Sequence, residues 1–116
     1  MVIYASEREQ VLTANMRGGD GTVDKRDYKM AEMPPHGKMF AEIRLEPGCS
    51  IGTHGHTGEY ETFFIHEGEV VVNDNGEEKV LHPGDFAICR SGELHGIANR
   101  SDKTAAVYAV IIRTED

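Results

Sequence analysis

Residues 47–68 read PGCSIGTHGHTGEYETFFIHEG, and the layout of this stretch decides the fold. His54 and His56 stand two positions apart, and Glu61 follows five positions later. Ile51, Phe63, Phe64 and Ile65 around them favour strands. Alternate residues of a strand share a face, so the two imidazoles point the same way. Thr57-Gly58-Glu59-Tyr60 can turn the chain back and bring Glu61 alongside them. Two imidazoles and one carboxylate converging on a point suit a divalent metal of intermediate hardness, such as manganese, iron, nickel or zinc.

A lone His-x-His pair would be weak evidence, because most such pairs are ordinary polar residues. A second stretch strengthens it. Residues 84–99 read GDFAICRSGELHGIAN and offer His95 as a fourth ligand. Together the two stretches resemble the two sequence motifs of the cupin family. Gly48, His54, His56, Glu61 and Gly68 fall at the intervals of the first motif. Gly84, Gly92, His95 and Asn99 fall at those of the second, with Arg90 where the family usually has proline. The chain is most similar to small single-domain cupins of the oxalate decarboxylase-like and mannose-6-phosphate isomerase-like branch.

The resemblance implies an all-β jelly-roll barrel (a double-stranded β-helix) with a metal inside one end. It implies that His54, His56, Glu61 and His95 hold one divalent ion per chain. Four protein ligands around a six-coordinate ion would leave about two positions for water or ligand. The activity so implied is that of a metal-dependent enzyme, a dioxygenase, decarboxylase or isomerase, acting on a small carboxylate or sugar. A non-catalytic metal-bound module that senses or binds such a ligand is the alternative. The oxalate enzymes of the family usually carry an arginine shortly before the His-x-His pair. Ile51-Gly52-Thr53 stand there, which argues against oxalate chemistry.

Working outward, the 116 residues are expected to form one domain with a real hydrophobic core. Apolar residues are 39% and charged residues 28%, an ordinary globular balance. The formal net charge of -8 argues against nucleic acid and anionic membrane as partners, both being polyanions. No apolar run approaches the ~20 residues that cross a bilayer, and Met1–Gln10 has no signal-peptide pattern, so the expected compartment is the cytoplasm. Cys49 and Cys89 are too far apart in sequence for a zinc pair and read as small, reduced residues.

Residues 1–35 read as a short irregular leader, and packing across a homodimer is one role for it. Ser6 with Glu9 suggests a helical turn, and three glycines within residues 18–21 mark an irregular passage. Pro34-Pro35 separates the leader from the barrel, expected at 36–116. Met39, Ala41, Ile43 and Leu45 then alternate with Phe40, Glu42, Arg44 and Glu46, as in a half-buried strand. An outward Phe40 and an outward Phe64 would need covering, which again points to a homodimer. Asp74-Asn75-Gly76 signals a hairpin, and residues 105–113 read as the last strand. Strand parity places Met39, Ile43, Phe63, Ile65, Phe86 and Ile97 around the metal pocket. No clear catalytic partner stands out. Glu93 and Tyr60 are the candidates, and both also fit ordinary turn and packing roles. Arg44 and Tyr108 fit surface and packing roles. Glu59, Glu67, Glu69, His36, His66 and His82 read as ordinary polar residues.

Overall fold

The computed structural model describes residues 1–28 and 33–114. Ten strands follow one another: β1 (Glu9–Ala14), β2 (Thr22–Asp27), β3 (Gly37–Leu45), β4 (Ser50–Gly55), β5 (Glu59–Glu67), β6 (Val70–Asp74), β7 (Glu77–Leu81), β8 (Phe86–Cys89), β9 (Leu94–Ala98) and β10 (Ala105–Arg113). Two short 3-10 turns, Ala5–Glu7 and Met16–Gly18, are the helical pieces of the described residues. The strands form two antiparallel sheets. One has the order β1-β2-β3-β10-β5-β8 and the other β4-β9-β6-β7.

The all-β jelly roll expected from the sequence is present. Among the described residues no ladder joins the two sheets, so the closed barrel is replaced by a sandwich. Side chains between the sheets hold it together. Leu45, Ile65, Val70, Val107 and Ala109 are wholly buried there, with Ile43, Ile51, Phe63, Val72 and Ile97 beside them. Each comes from an inward position of an alternating strand, which is the pattern read for β3. Fully burying each of the larger side chains is worth about 1.5–3 kcal/mol, and this supplies the main drive to hold the sheets face to face.

The leader is more regular than its sequence suggests. Strands β1 and β2 pair from Glu9↔Asp27 to Ala14↔Thr22, and β2 pairs with β3. The leader therefore extends the larger sheet of its own chain. Its apolar signal is thin, since Val23 is the one buried core side chain among its described residues. The helical turn comes earlier than the Ser6–Glu9 pair suggests: it spans Ala5–Glu7, Glu7 Oε2 accepts the Tyr4 backbone N–H at 2.8 Å, and Glu9 already opens β1. Residues 29–32, which the leader includes, lie outside the described residues.

The hairpin read at Asp74-Asn75-Gly76 forms between β6 and β7. Asn75 and Gly76 both have positive φ, 53° and 94°. This is the backbone that matches the twist of the flanking strands.

Candidate metal centre

Strand register explains why the four candidate ligands meet. On the smaller sheet Ile51 lies opposite Ile97, and His54 lies opposite His95. Three steps along β4 thus match two along β9, so a bulge interrupts β4 between Ile51 and His54. The extra residue resets parity. Without it, an inward Ile51 would force His54 outward; with it, Ile51 packs in the core and His54 joins His95 inside. On the larger sheet Glu61 and Phe63 share the inner face of β5.

His54, His56, Glu61 and His95 place one ligand atom each within 4.8 Å of all the others. His56, Glu61 and His95 are buried, and His54 is nearly so. Glu61 Oε1 lies 2.9 Å from His95 Nε2, 3.0 Å from His56 Nε2 and 3.6 Å from His54 Nε2. His95 Nε2 lies 3.1 Å from His54 Nε2 and 3.2 Å from His56 Nε2.

The partners behind the rings fix the protons. The Nδ1–H of His54 donates to Gly52 O at 2.8 Å, and that carbonyl can only accept. The Nδ1–H of His56 donates to Glu59 Oε1 at 2.9 Å, while Lys38 Nζ donates to Glu59 Oε2 at 2.7 Å. In the neutral rings both Nε2 atoms are then bare lone pairs aimed inward. A single proton on His95 Nε2 cannot serve two lone pairs and a carboxylate at once. One cation at their centre serves all four, so the donor set fits a divalent metal.

Electrostatics agree. Burial would push the Glu61 carboxyl up, but without an ion the protonated imidazoles of His54, His95 and His56 around it outweigh burial and hold it at about 2. The same Glu61 contact raises the His54 imidazole, against burial. Without an ion, a proton therefore takes the cation's place, and the two compete.

A cavity of about 170 Å³ opens over His54, His56 and Glu61. Met39, Ile43, Ile51 and Ile111 make its apolar wall, and Met16, Arg17 and Lys25 of the leader complete the rim. Of the pocket residues expected from parity, Met39 and Ile43 line this cavity. Phe63 stacks flat on His95, with ring centres 4.8 Å apart and 7° between planes. Ile65 and Ile97 sit deeper, in the core. Phe86 stands elsewhere: it pairs with Phe64 and shares its outward face, so it is 60% exposed. It lines a larger depression of about 350 Å³ that contains none of the four ligands.

Glu93 also lies on that depression. Its carboxylate accepts the Arg90 backbone N–H at 2.9 Å and Arg90 Nε at 3.0 Å, and these bonds hold its pKa below the usual carboxylate range. Proline at position 90 would have no N–H to give, so the Arg90–Glu93 pair closes this turn by other means. Tyr60 is exposed on the face of β5 opposite Glu61. Cys89 lies across the ladder from Glu61 but is not among the four; burial first, then Glu93 and Glu61, push its thiol up to about 11. Arg44 and Tyr108 lie on the outer face, Arg44 against Glu42 and Tyr108 against His66.

Glu59 is not the ordinary polar residue its sequence position suggests, since it orients His56, and Lys38, Arg17 and Lys25 escaped the sequence reading. Glu59 carried one readable signal: it has the parity of Glu61, two positions on.

Residues 41–112 match the family model described as "Cupin domain". An "Oxalate-binding protein" of Thermotoga maritima is 39% identical over 113 residues, 97% of this chain and 93% of that protein. The crystal structure of a predicted oxalate decarboxylase from Thermotoga maritima superposes with a TM-score of 0.88 at 36% identity, over 97% of this chain and 99% of that one. A sugar phosphate isomerase from Silicibacter pomeroyi shares the fold, with a TM-score of 0.80 at 23% identity over 98% of this chain and 76% of that one. No helix of the described residues is long and apolar enough to cross a membrane.

Proposed function

The chain belongs to the cupin family, and from that premise we propose that it binds one divalent metal through His54, His56, Glu61 and His95 and captures a small carboxylate ligand there. The observation that carries this reading is the pair of fixed tautomers, which aims two imidazole lone pairs and a carboxylate at one buried point. A divalent ion held there would supply a Lewis acid for a ligand oxygen. The protein's own groups do the rest. Gly52 O and Glu59 orient the rings. Phe63 fixes the plane of His95. Met39, Ile43, Ile51 and Ile111 keep bulk water off one side, which strengthens the attraction inside.

Binding without turnover is the reading the cavity favours. Among the described residues that line it besides the ligands, Arg17 and Lys25 are the charged groups, and both suit holding an anion. The relative named for oxalate binding supports the same ligand class. Calorimetry with oxalate on metal-loaded and metal-free protein tests it. Strong heat with the loaded form alone is expected; equal binding by the metal-free form would refute it. Product formation or oxygen uptake would instead select a dioxygenase, decarboxylase or isomerase.

A homodimer belongs to this reading. Phe64, Phe86 and Ile88 stand exposed together on the outer face of β5 and β8, an apolar patch suited to burial against a second copy. Light scattering should give a dimer mass that Phe64→Glu lowers; a monomer at micromolar concentration would remove the dimer.

A further inference from the structure

Resting on the carboxylate reading above, we propose that Arg17, with Lys25 beside it, sets the specificity of the cavity for small dianions. The ion takes one end of the ligand and the two cations take the other. Dicarboxylates of two to four carbons are therefore the ligand class, ahead of monocarboxylates and neutral sugars.

The cavity wall makes the case. Arg17 and Lys25 line it, and among the described residues Glu61 is its one carboxylate. Among the described residues no acidic side chain forms an ion pair with either cation. Unpaired cations over a cavity are unexpected in a chain of net charge -8 unless an anion comes to them. A divalent ion on three neutral imidazoles and one carboxylate keeps one positive charge, so the cavity as a whole attracts more than one negative charge. The volume sets the size. At about 170 Å³ it lies below the ~300 Å³ where drug-sized pockets begin, so small ligands suit it.

The leader is clamped to β4 in a way that fixes Arg17 in place. Asn15 and Arg17 both adopt left-handed backbone, with φ of 51° and 54°, which non-glycine residues rarely hold without support. The support is visible. The Ser50 N–H donates to Asp20 O at 2.8 Å, and the Asp20 N–H donates to Ser50 Oγ at 2.9 Å. Gly19 packs so close to β4 that any side chain there would meet Ser50 O, and Gly52 packs likewise against Arg17 O. Glycine is needed at both points for the backbones to touch. The clamp fixes where the Arg17 side chain starts, the exposed side chain can reach over the cavity, and charge-assisted bonds from its fork suit a carboxylate.

Calorimetry on metal-loaded protein with malonate, oxalate and acetate tests the proposal. Arg17→Gln should keep full metal content and fold while losing about ten- to a hundredfold in dicarboxylate affinity, the weight of a lost charged hydrogen bond. Acetate binding should change by less than about threefold, and Arg17→Lys should recover part of the loss. Gly19→Ala, which pushes the turn off β4 without touching a metal ligand, should reproduce the selective loss. Unchanged dicarboxylate affinity in Arg17→Gln would overturn the proposal and leave the metal-carboxylate reading standing. Loss of metal from Arg17→Gln would overturn it too, by showing a structural role. Oxalate bound equally by metal-free wild type would overturn both.

Discussion

The larger sheet buries a carboxylate on each face, and the two have opposite needs. Inside, Glu61 meets three imidazoles whose lone pairs converge with it. Outside, Glu42 of β3 is just as buried, at 3% exposure, but meets Arg8 at 3.0 Å, Arg44 at 3.3 Å and His66 at 2.8 Å. The guanidiniums bring both charge and protons, so the Glu42 carboxylate is satisfied without an added ion. The inner cluster has acceptors and one shared contact, so it wants a cation. Burial of a carboxylate among basic residues does not by itself mark a metal site. The tautomers decide.

Removing a ligand should break the contrast most sharply. His95→Ala should lower metal affinity well beyond the ~10–100-fold that loss of an outer partner costs. Elemental analysis after dialysis reads this directly, and full metal content in the variant would sink the four-ligand site. Glu42→Ala should instead leave metal content alone and destabilise the fold by about 3 kcal/mol, because it strands Arg8 and Arg44. Chemical denaturation of the metal-free variant measures it, and a change under 1 kcal/mol would mean the pair is solvated.

Glu59→Gln probes the second rank of the inner cluster. It frees the His56 tautomer and should cost about tenfold or somewhat more in metal affinity, with little change in metal-free stability. Competition with a chelator would resolve that difference.

Acid should separate the two clusters last. Metal release requires protonating imidazoles, which take up protons at higher pH than carboxylates do, and is expected at the upper end of the titration. The Glu42 carboxyl is pulled up by burial, but Arg44 and Arg8 outweigh this and set it below its ordinary value of 4.5. A group with a lowered folded pKa stabilises fully above its unfolded value and loses that contribution as pH falls through the folded one. Metal-free protein should therefore keep this term down to about pH 4.5 and lose it below. Glu42→Gln should flatten that slope, and an unchanged slope would assign it to other carboxylates.

The metal ligands were legible because their chemistry demands particular residue types at fixed parity. His54, His56, Glu61 and His95 could be read as one set without coordinates. The β4 bulge could not, since Gly52-Thr53 looks like any two residues between Ile51 and His54. Phe86 was misplaced because parity within β8 is settled only by its register with Phe64. The leader hid for a different reason. EQVLTA and TVDKRD have too little apolar alternation to announce strands, and their placement comes from pairing with β3. Arg17 carries no motif, and only the Gly19 and Gly52 contacts bring it to the cavity.

Strand β10 gives no ligand, yet it sits between β3 and β5, with Ile111 opposite both Met39 and Glu61. During synthesis, the His-x-His segment leaves the ribosome well before residues 105–113 exist. Glu61 has no complete strand neighbourhood until the far end of the chain returns to join β3. Such distant closures are slow steps in folding. The site should therefore acquire its metal only once residues 105–113 have paired with β3 and β5, and loss of that strand would abolish metal loading while every ligand remained in the chain.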